Sequence, residues 1–166
     1  MNEIYKVGRG TKIYEPVIIL KTGREIIIGD KCSIGQFVFI AARKFTMEQG
    51  SEIAPGAIIG GGGNVTIGKF STVDFGAKLI PASDRPDAKY MCSAASLEDR
   101  KIVRGSITLG EGVFIGANAV ICVTEKNPNI HIGNFAVIGA GSYIDKSIEA
   151  KTIIHPKTLY ERRIRK

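Results

Sequence analysis

An aliphatic residue recurs at every sixth position along most of this chain. Val7, Ile13 and Ile19 form one series, and Ile28, Ile34 and Ile40 the next. Ile53 and Ile59 follow, then Ile67, Val73 and Leu79, then Leu109, Ile115 and Ile121, and finally Ile132, Ile138 and Ile144. Of these seventeen positions, nine are followed by glycine: Gly8, Gly29, Gly35, Gly60, Gly68, Gly110, Gly116, Gly133 and Gly139. Six is neither the two-residue period of a strand nor the 3.6-residue period of a helix. A fixed period of another length belongs to a repeat architecture. The chain turns a corner every six residues, with an aliphatic side chain pointing into a narrow core at each step. A small residue beside it lets the backbone bend without a clash. Stacked coils then pair as parallel strands over one continuous aliphatic column. An antiparallel sandwich would instead show period-two alternation and turn signals every 8–12 residues or so, and neither is present.

With 166 residues the chain makes one domain, residues 1–166, with a sizeable core. Its 23 Lys and Arg exceed 16 Asp and Glu, for a net charge of +7. The excess is concentrated at the end, where "KTIIHPKTLYERRIRK" holds Lys151, Lys157, Arg162, Arg163, Arg165 and Lys166 against the single acid Glu161. A basic terminus suits a phosphate-bearing partner, and is equally consistent with a solvated tail. Cys32, Cys92 and Cys122 lie far apart with no CxxC pair, as expected of reduced cysteines with no zinc site. "MNEIYKVGRG" lacks the apolar run of a signal peptide, and no apolar segment approaches the roughly 18 residues of a membrane span. The expectation is a cytoplasmic protein without membrane insertion. The aromatics show no stacking cluster, so nucleic acid is not an expected partner.

Three interruptions break the register. "GGGGN", Gly60 to Asn64, and "TEKNPN", Thr124 to Asn129, are polar or glycine-rich and read as surface turns. The third, residues 80–106, "IPASDRPDAKYMCSAASLEDRKIVRGS", is far beyond the roughly 12–15 residues usual for a loop inside a compact domain. Such an excursion is usually functional or disordered, and its charges, Tyr90 and Met91 suit it to fold over a neighbour.

The stretch "VFIGANAVICV…IHIGNFAVIGAGSYIDKSI" resembles the C-terminal signature of sugar acetyltransferases of the hexapeptide-repeat acyltransferase family. The likeness in pattern runs from about residue 7 to the terminal basic segment. It implies an all-β fold, a left-handed parallel β-helix with one excursion loop and a short C-terminal segment, residues 155–166, expected to be helical. It also implies acetyl-CoA as donor, a sugar or nucleotide-sugar as acceptor, no metal, and a homotrimer whose excursions cover active sites between subunits.

Acetyl transfer from a thioester needs a nucleophile, a proton acceptor and donors for a developing oxyanion. In many members of the family the acceptor is a histidine just after the strand that enters the excursion. Aligned on "IGKFSTVDFGAKLIPASD", that place holds Asp84, and no histidine precedes His131. A carboxylate, with an ordinary pKa near 3.9, becomes a competent base if burial raises its pKa. It suffices more readily for an amine nucleophile, which favours an amino-sugar acceptor. Asp84 therefore has two readings, base or turn residue beside Pro86, and Asp87 reads as a turn residue. His131 and His155 suit surface and capping roles, and two late histidines fall short of the three that a carbonic anhydrase zinc requires. By resemblance, Gly116, Ala117, Gly139 and Ala140 line the pantetheine channel, or serve packing alone. Lys146, Lys157, Arg162 and Arg163 fall where the family meets coenzyme phosphates. The tail "IHPKTLYERR" departs from the family's usual pattern, and the family's acceptor residues fall near Ala54 and Gly62 without matching them. The alternative to an enzyme is a catalytically silent trimer serving as a scaffold, a reading that the missing histidine favours.

Overall fold

The computed structural model describes residues 4–156, and among them every regular element is a strand. The strands stack into three parallel sheets, two of six strands and one of seven, which form the three faces of a left-handed β-solenoid of about seven turns. The first face holds the four-residue strands, such as Asn64–Ile67 and Ser106–Leu109. The second holds two-residue strands such as Thr72–Val73 and Phe114–Ile115. The third holds Lys78–Ile80, Val120–Cys122 and Tyr143–Ile144. Register is strict: Ile67 pairs Leu109, Val73 pairs Ile115, and Leu79 pairs Ile121. Each sixth-position aliphatic thus stacks on its counterpart in the next turn. From Ile28 to Ile138 these side chains are essentially fully buried, and burying each contributes about 1.5–3 kcal/mol.

The residue two positions earlier also points inward. On the second and third faces it is mostly small, as at Ser51, Ala57, Ser71, Ala77, Ala119 and Ala136, with Val38 and Val113 the larger exceptions, whereas the first face takes Ile26, Phe45, Val65, Ile107 and Ile130. Ser71 replaces a packing contact with a bridge between turns: its Oγ donates to the Gly110 carbonyl at 2.7 Å and accepts from the Val113 N–H at 2.9 Å.

The glycines act differently from the sequence expectation. None of the nine has a left-handed φ. They are small because the next turn presses on them: a Cβ on Gly116 would lie 2.6 Å from the Ala140 nitrogen and 2.8 Å from the Ile138 oxygen. The bend itself is made two positions later, where Gly50, Gly76 and Gly112, but also Phe37, Phe70, Asn118 and Phe135, have φ between 55° and 71°. At one corner a large residue covers a glycine of the turn before, Phe70 over Gly50 and Phe135 over Gly112. This accounts for phenylalanines that are more than half exposed, 61% at Phe70 and 53% at Phe135.

Three further differences come from the ends and corners. Val7 is 43% exposed, because its strand is the edge of its sheet among the described residues. Met47 holds an inward position missing from the aliphatic count, paired with Ile28 and Ile67. Beyond Ile144 the solenoid continues, through a bridge from Ile132 to Ile148 and a strand Ile153–Ile154 on Val137–Ile138. The helical expectation for the C-terminal segment concerns residues outside the described ones, apart from His155 and Pro156.

The excursion is an arm with its own structure. It leaves at the corner between the third and first faces, where Ala82–Asp84 pairs antiparallel with Ile102–Arg104.

Candidate active site

The base of the arm, the corner after Cys122 and the strand Tyr143–Ile144 enclose a cleft of about 450 Å³. Asp84, Val103, Cys122, Thr124, Tyr143 and Asp145 all line it. The turn "TEKNPN" is one wall, shaped by the Thr124 N–H donating to the Asn127 carbonyl at 3.1 Å and the Asn127 N–H to Thr124 Oγ1 at 3.2 Å. It is therefore more than a surface turn, because Glu125 on it pairs with Arg85 of the arm at 2.6 Å.

Asp84 is a strand residue in register with Ile102, not part of a turn. Its two carboxylate oxygens accept from Arg100 Nε and Nη2, both at 2.9 Å, in a largely covered pair with side-chain exposures of 22% and 14%. The hydrogen bonds from Arg100 hold the Asp84 carboxyl below the usual carboxylate range. Burial opposes that shift without reversing it, so the condition for an activated carboxylate base, a raised pKa, is not met. Asp87 sits in the tight turn that follows, where the Ala88 N–H donates to the Arg85 carbonyl. Hydrogen bonds from Arg85 and Lys101 lower its pKa from the ordinary 3.8 to about 2.

These two shifts set a pH window. A carboxyl whose pKa is lower folded than unfolded adds stability above its unfolded value, and that contribution is lost as pH falls through the folded value. The arm should stay latched down to about pH 4 and loosen between there and pH 2. The carboxyl carbon of Asp87, followed by NMR, should titrate with a midpoint near 2; a midpoint near 4 would mean an unlatched arm.

Cys122 and Tyr143 share a hydrogen bond on the third face. Burial raises the pKa of both groups, and the Asp145 charge adds to the rise. Both are neutral at pH 7, so the cleft offers an uncharged phenolic donor, and Asp84, Glu125 and Asp145 also line it. Asp145 forms no salt bridge among the described residues.

The predicted residues divide between two corners. Asp84 lies in the cleft, and Lys146 is exposed on the adjoining corner after Ile144. Gly116, Ala117, Gly139 and Ala140 lie at the other end of the third face, between the second and third faces, where Gly116 packs on Ala140 and Gly139 on Ile154 and Pro156. Lys157, Arg162 and Arg163 lie outside the described residues. Sequence reasoning missed Arg100, Tyr143 and Asp145. Tyr143 and Asp145 stand in the family-like stretch, and the outward position of Tyr143 beside inward Ile144 was a usable signal. Arg100, sixteen residues from Asp84, becomes its partner only through the arm's hairpin register. Among the described residues no cluster of His, Cys, Asp and Glu could hold a metal ion, and no helix is long and apolar enough to cross a membrane.

No protein-family model matches the sequence. The chain is 30% identical over 167 residues to the bifunctional protein GlmU of Paramagnetospirillum magneticum, covering 86% of this chain and 33% of GlmU. It is 26% identical over 164 residues to GlmU of Acinetobacter baumannii, covering 77% of this chain and 35% of that protein. The chain spans about a third of the length of these curated relatives. Among solved structures, a serine-to-cysteine variant of AntD, an N-acyltransferase from Bacillus cereus in complex with dTDP-4-amino-4,6-dideoxyglucose and coenzyme A, matches with a TM-score of 0.83. The match covers 99% of this chain and 85% of AntD at 23% identity. This chain has the fold of the hexapeptide-repeat acyltransferases. The hexapeptide-repeat acetyltransferase VCA0836 of Vibrio cholerae, complexed with acetyl-CoA, shares this hexapeptide-repeat fold at a TM-score of 0.55 and 19% identity, over 89% of this chain and 64% of that one.

Proposed function

We propose that this hexapeptide-repeat protein is an acyltransferase that moves the acetyl group of acetyl-CoA to the amine of a sugar or nucleotide-sugar. The observation that carries the reading is the cleft at the arm's base, which Asp84 and the neutral phenol of Tyr143 both line. An amine adding to a thioester gains positive charge on nitrogen and leaves negative charge on the carbonyl oxygen. Asp84, held ionised by Arg100, meets the first, and the Tyr143 hydroxyl donates to the second. As the carbon–sulfur bond breaks, the departing thiolate takes up the proton that the nitrogen loses. Asp84 thus acts as orienting and charge-stabilising group more than as a base, which accommodates the missing histidine. For the donor, the outward strip of Val120 and Tyr143 leads along the third face into the cleft and fits a pantetheine arm, with Lys146 at its end. The resemblance of "IGAN" and "IGAGS" to the family, and the coenzyme A held by AntD, support Gly116, Ala117, Gly139 and Ala140 as backbone contacts. They likewise support Lys157, Arg162 and Arg163 as phosphate partners.

The test is release of thiol from acetyl-CoA against a panel of amino sugars, free and nucleotide-linked, with hydroxyl analogues as controls. Turnover confined to amines is expected. No thiol release with any acceptor would overturn the proposal.

We also propose a homotrimer. The third face points Ile18, Phe39, Ile58, Val120 and Tyr143 outward, with Lys78 among them, whereas the first face presents Lys6, Ile27, Thr46, Thr66, Thr108 and His131. A flat apolar face of this kind is covered in an assembly, and it would place the cleft at the border between subunits. Light scattering should give three times the chain mass for the wild type, and Ile58→Asp should give monomers. A wild-type monomer at working concentrations would refute the assembly.

A further inference from the structure

The two walls of the cleft at the arm's base are joined by an ion pair, Arg85 Nη1 to Glu125 Oε1 at 2.6 Å, and both residues line the space. We infer that this pair is a strap across the cleft's mouth, and that a molecule enters or leaves when Glu125 lets go. The inference rests on the acyl-transfer reading for what passes, an acyl donor, and on the ion pair for the strap itself.

The two partners are held differently. Arg85 is fixed from the arm: its Nε and Nη2 donate to the two carboxylate oxygens of Asp87 at 2.8 Å each, and Lys101 Nζ donates to Asp87 Oδ2 at 2.8 Å. That fork occupies one edge of the guanidinium and leaves Nη1 for the opposite wall. Glu125 stands on that wall, in the turn after Cys122, whose shape comes from the hydrogen bonds between Thr124 and Asn127. Neither wall needs the strap for its own shape, so what the pair contributes lies between them. The Glu125 side chain is 61% exposed against 29% for Arg85, which puts the strap at the solvent edge of the cleft.

The strength of the pair suits a gate. An exposed ion pair favours its closed form over the open one only about 2–5-fold. Exposed side chains change rotamer within nanoseconds, faster than a ligand arrives, so the cleft admits ligand in proportion to the fraction of time the strap is open. Opening needs no backbone motion. Glu125 swings away, and Arg85 keeps its bonds to Asp87.

Cys122, partly buried in the same cleft, reports on this opening without any reference to catalysis. The experiment alkylates the full chain with iodoacetamide, an uncharged reagent, and follows Cys122 and Cys92 by peptide mass spectrometry. Cys92, exposed on the arm, is the internal reference. Glu125→Gln should raise the Cys122 rate about 2–5-fold and leave Cys92 unchanged. Glu125→Asp keeps the charge but is one methylene too short to reach Arg85, and should give a similar rise. This separates an open strap from a change in thiol ionisation, because loss of charge alone would speed Cys122 in the glutamine variant and not in the aspartate one. In the wild type, raising salt from about 10 mM to 1 M should also speed Cys122 relative to Cys92, and in Glu125→Gln it should not. Wild-type rates at Cys122 in both variants, or a rise in Glu125→Gln alone, would overturn the strap. Failure of the acyl-transfer reading looks different: no thiol release from acetyl-CoA, with Glu125-dependent access to Cys122 intact.

Discussion

Asp84→Asn is expected to lower turnover of an amine acceptor by about 10²–10⁴-fold while leaving the fold and coenzyme binding unchanged. That range is what one positioned polar group contributes when it meets charge arising in the transition state. The variant keeps the shape of the side chain and an acceptor for one Arg100 N–H, but loses the charge and the bidentate pair. The wild-type acid limb carries the second half of the prediction. Since Arg100 keeps Asp84 ionised below the usual carboxylate range, its titration should not reduce kcat at any pH above about 4. Arg100→Gln removes the largest cause of that shift, and its acid limb should move to higher pH. Asp145→Asn is the comparison, as a carboxylate of the cleft that forms no salt bridge among the described residues. If Asp84→Asn turns over a confirmed acceptor at the wild-type rate, Asp84 only pins the arm.

A large effect on stability is expected from Gly68→Ala. The φ of Gly68 suits any residue, so the backbone conformation costs nothing. The added methyl would instead lie 2.5 Å from the Gly110 carbonyl carbon and 2.8 Å from the Leu109 oxygen. These are main-chain atoms of the next turn, hydrogen-bonded through the Gly68 N–H to the Leu109 carbonyl at 2.9 Å. Relief requires parting two turns and loosening the contact of Ile67 with Leu109. Overpacking against a backbone that cannot yield places the cost at about 3 kcal/mol or more, a fall in Tm of roughly 6–12 °C for a chain of this size. Gly23→Ala is the contrasting substitution. Gly23 has φ +67° and open space around an added Cβ, so only the left-handed backbone penalty of roughly 1–2 kcal/mol applies. Calorimetric unfolding of the two variants separates close approach from backbone strain, and equal losses would refute the distinction.

The hexapeptide period determined the architecture because it is a local geometric demand repeated many times. An inward aliphatic at Ile67, Val73 and Leu79 has only one kind of backbone path that buries all three, and the next turn repeats it at Leu109, Ile115 and Ile121. One missed site, Met47, fell out of the count only because the count admitted Val, Ile and Leu. The excursion was equally legible as a departure from that path, and Asp84 as its first chemically interesting residue. The division of labour between glycines that are pressed upon and residues that bend the chain was not. Both patterns are consistent with "aliphatic then glycine", and only the stacking of one turn on another tells them apart. The charge state of Asp84 was decided in the same way. Sequence offers a carboxylate two residues before a proline, whereas the pairing of Ala82–Asp84 with Ile102–Arg104 brings Arg100 onto it. Arg85 and Glu125 stand forty residues apart in the chain and meet across one cleft because the solenoid returns to the same corner on every turn. Local repetition determined the fold; the register between distant segments, which no local pattern encodes, decided the charges of the site.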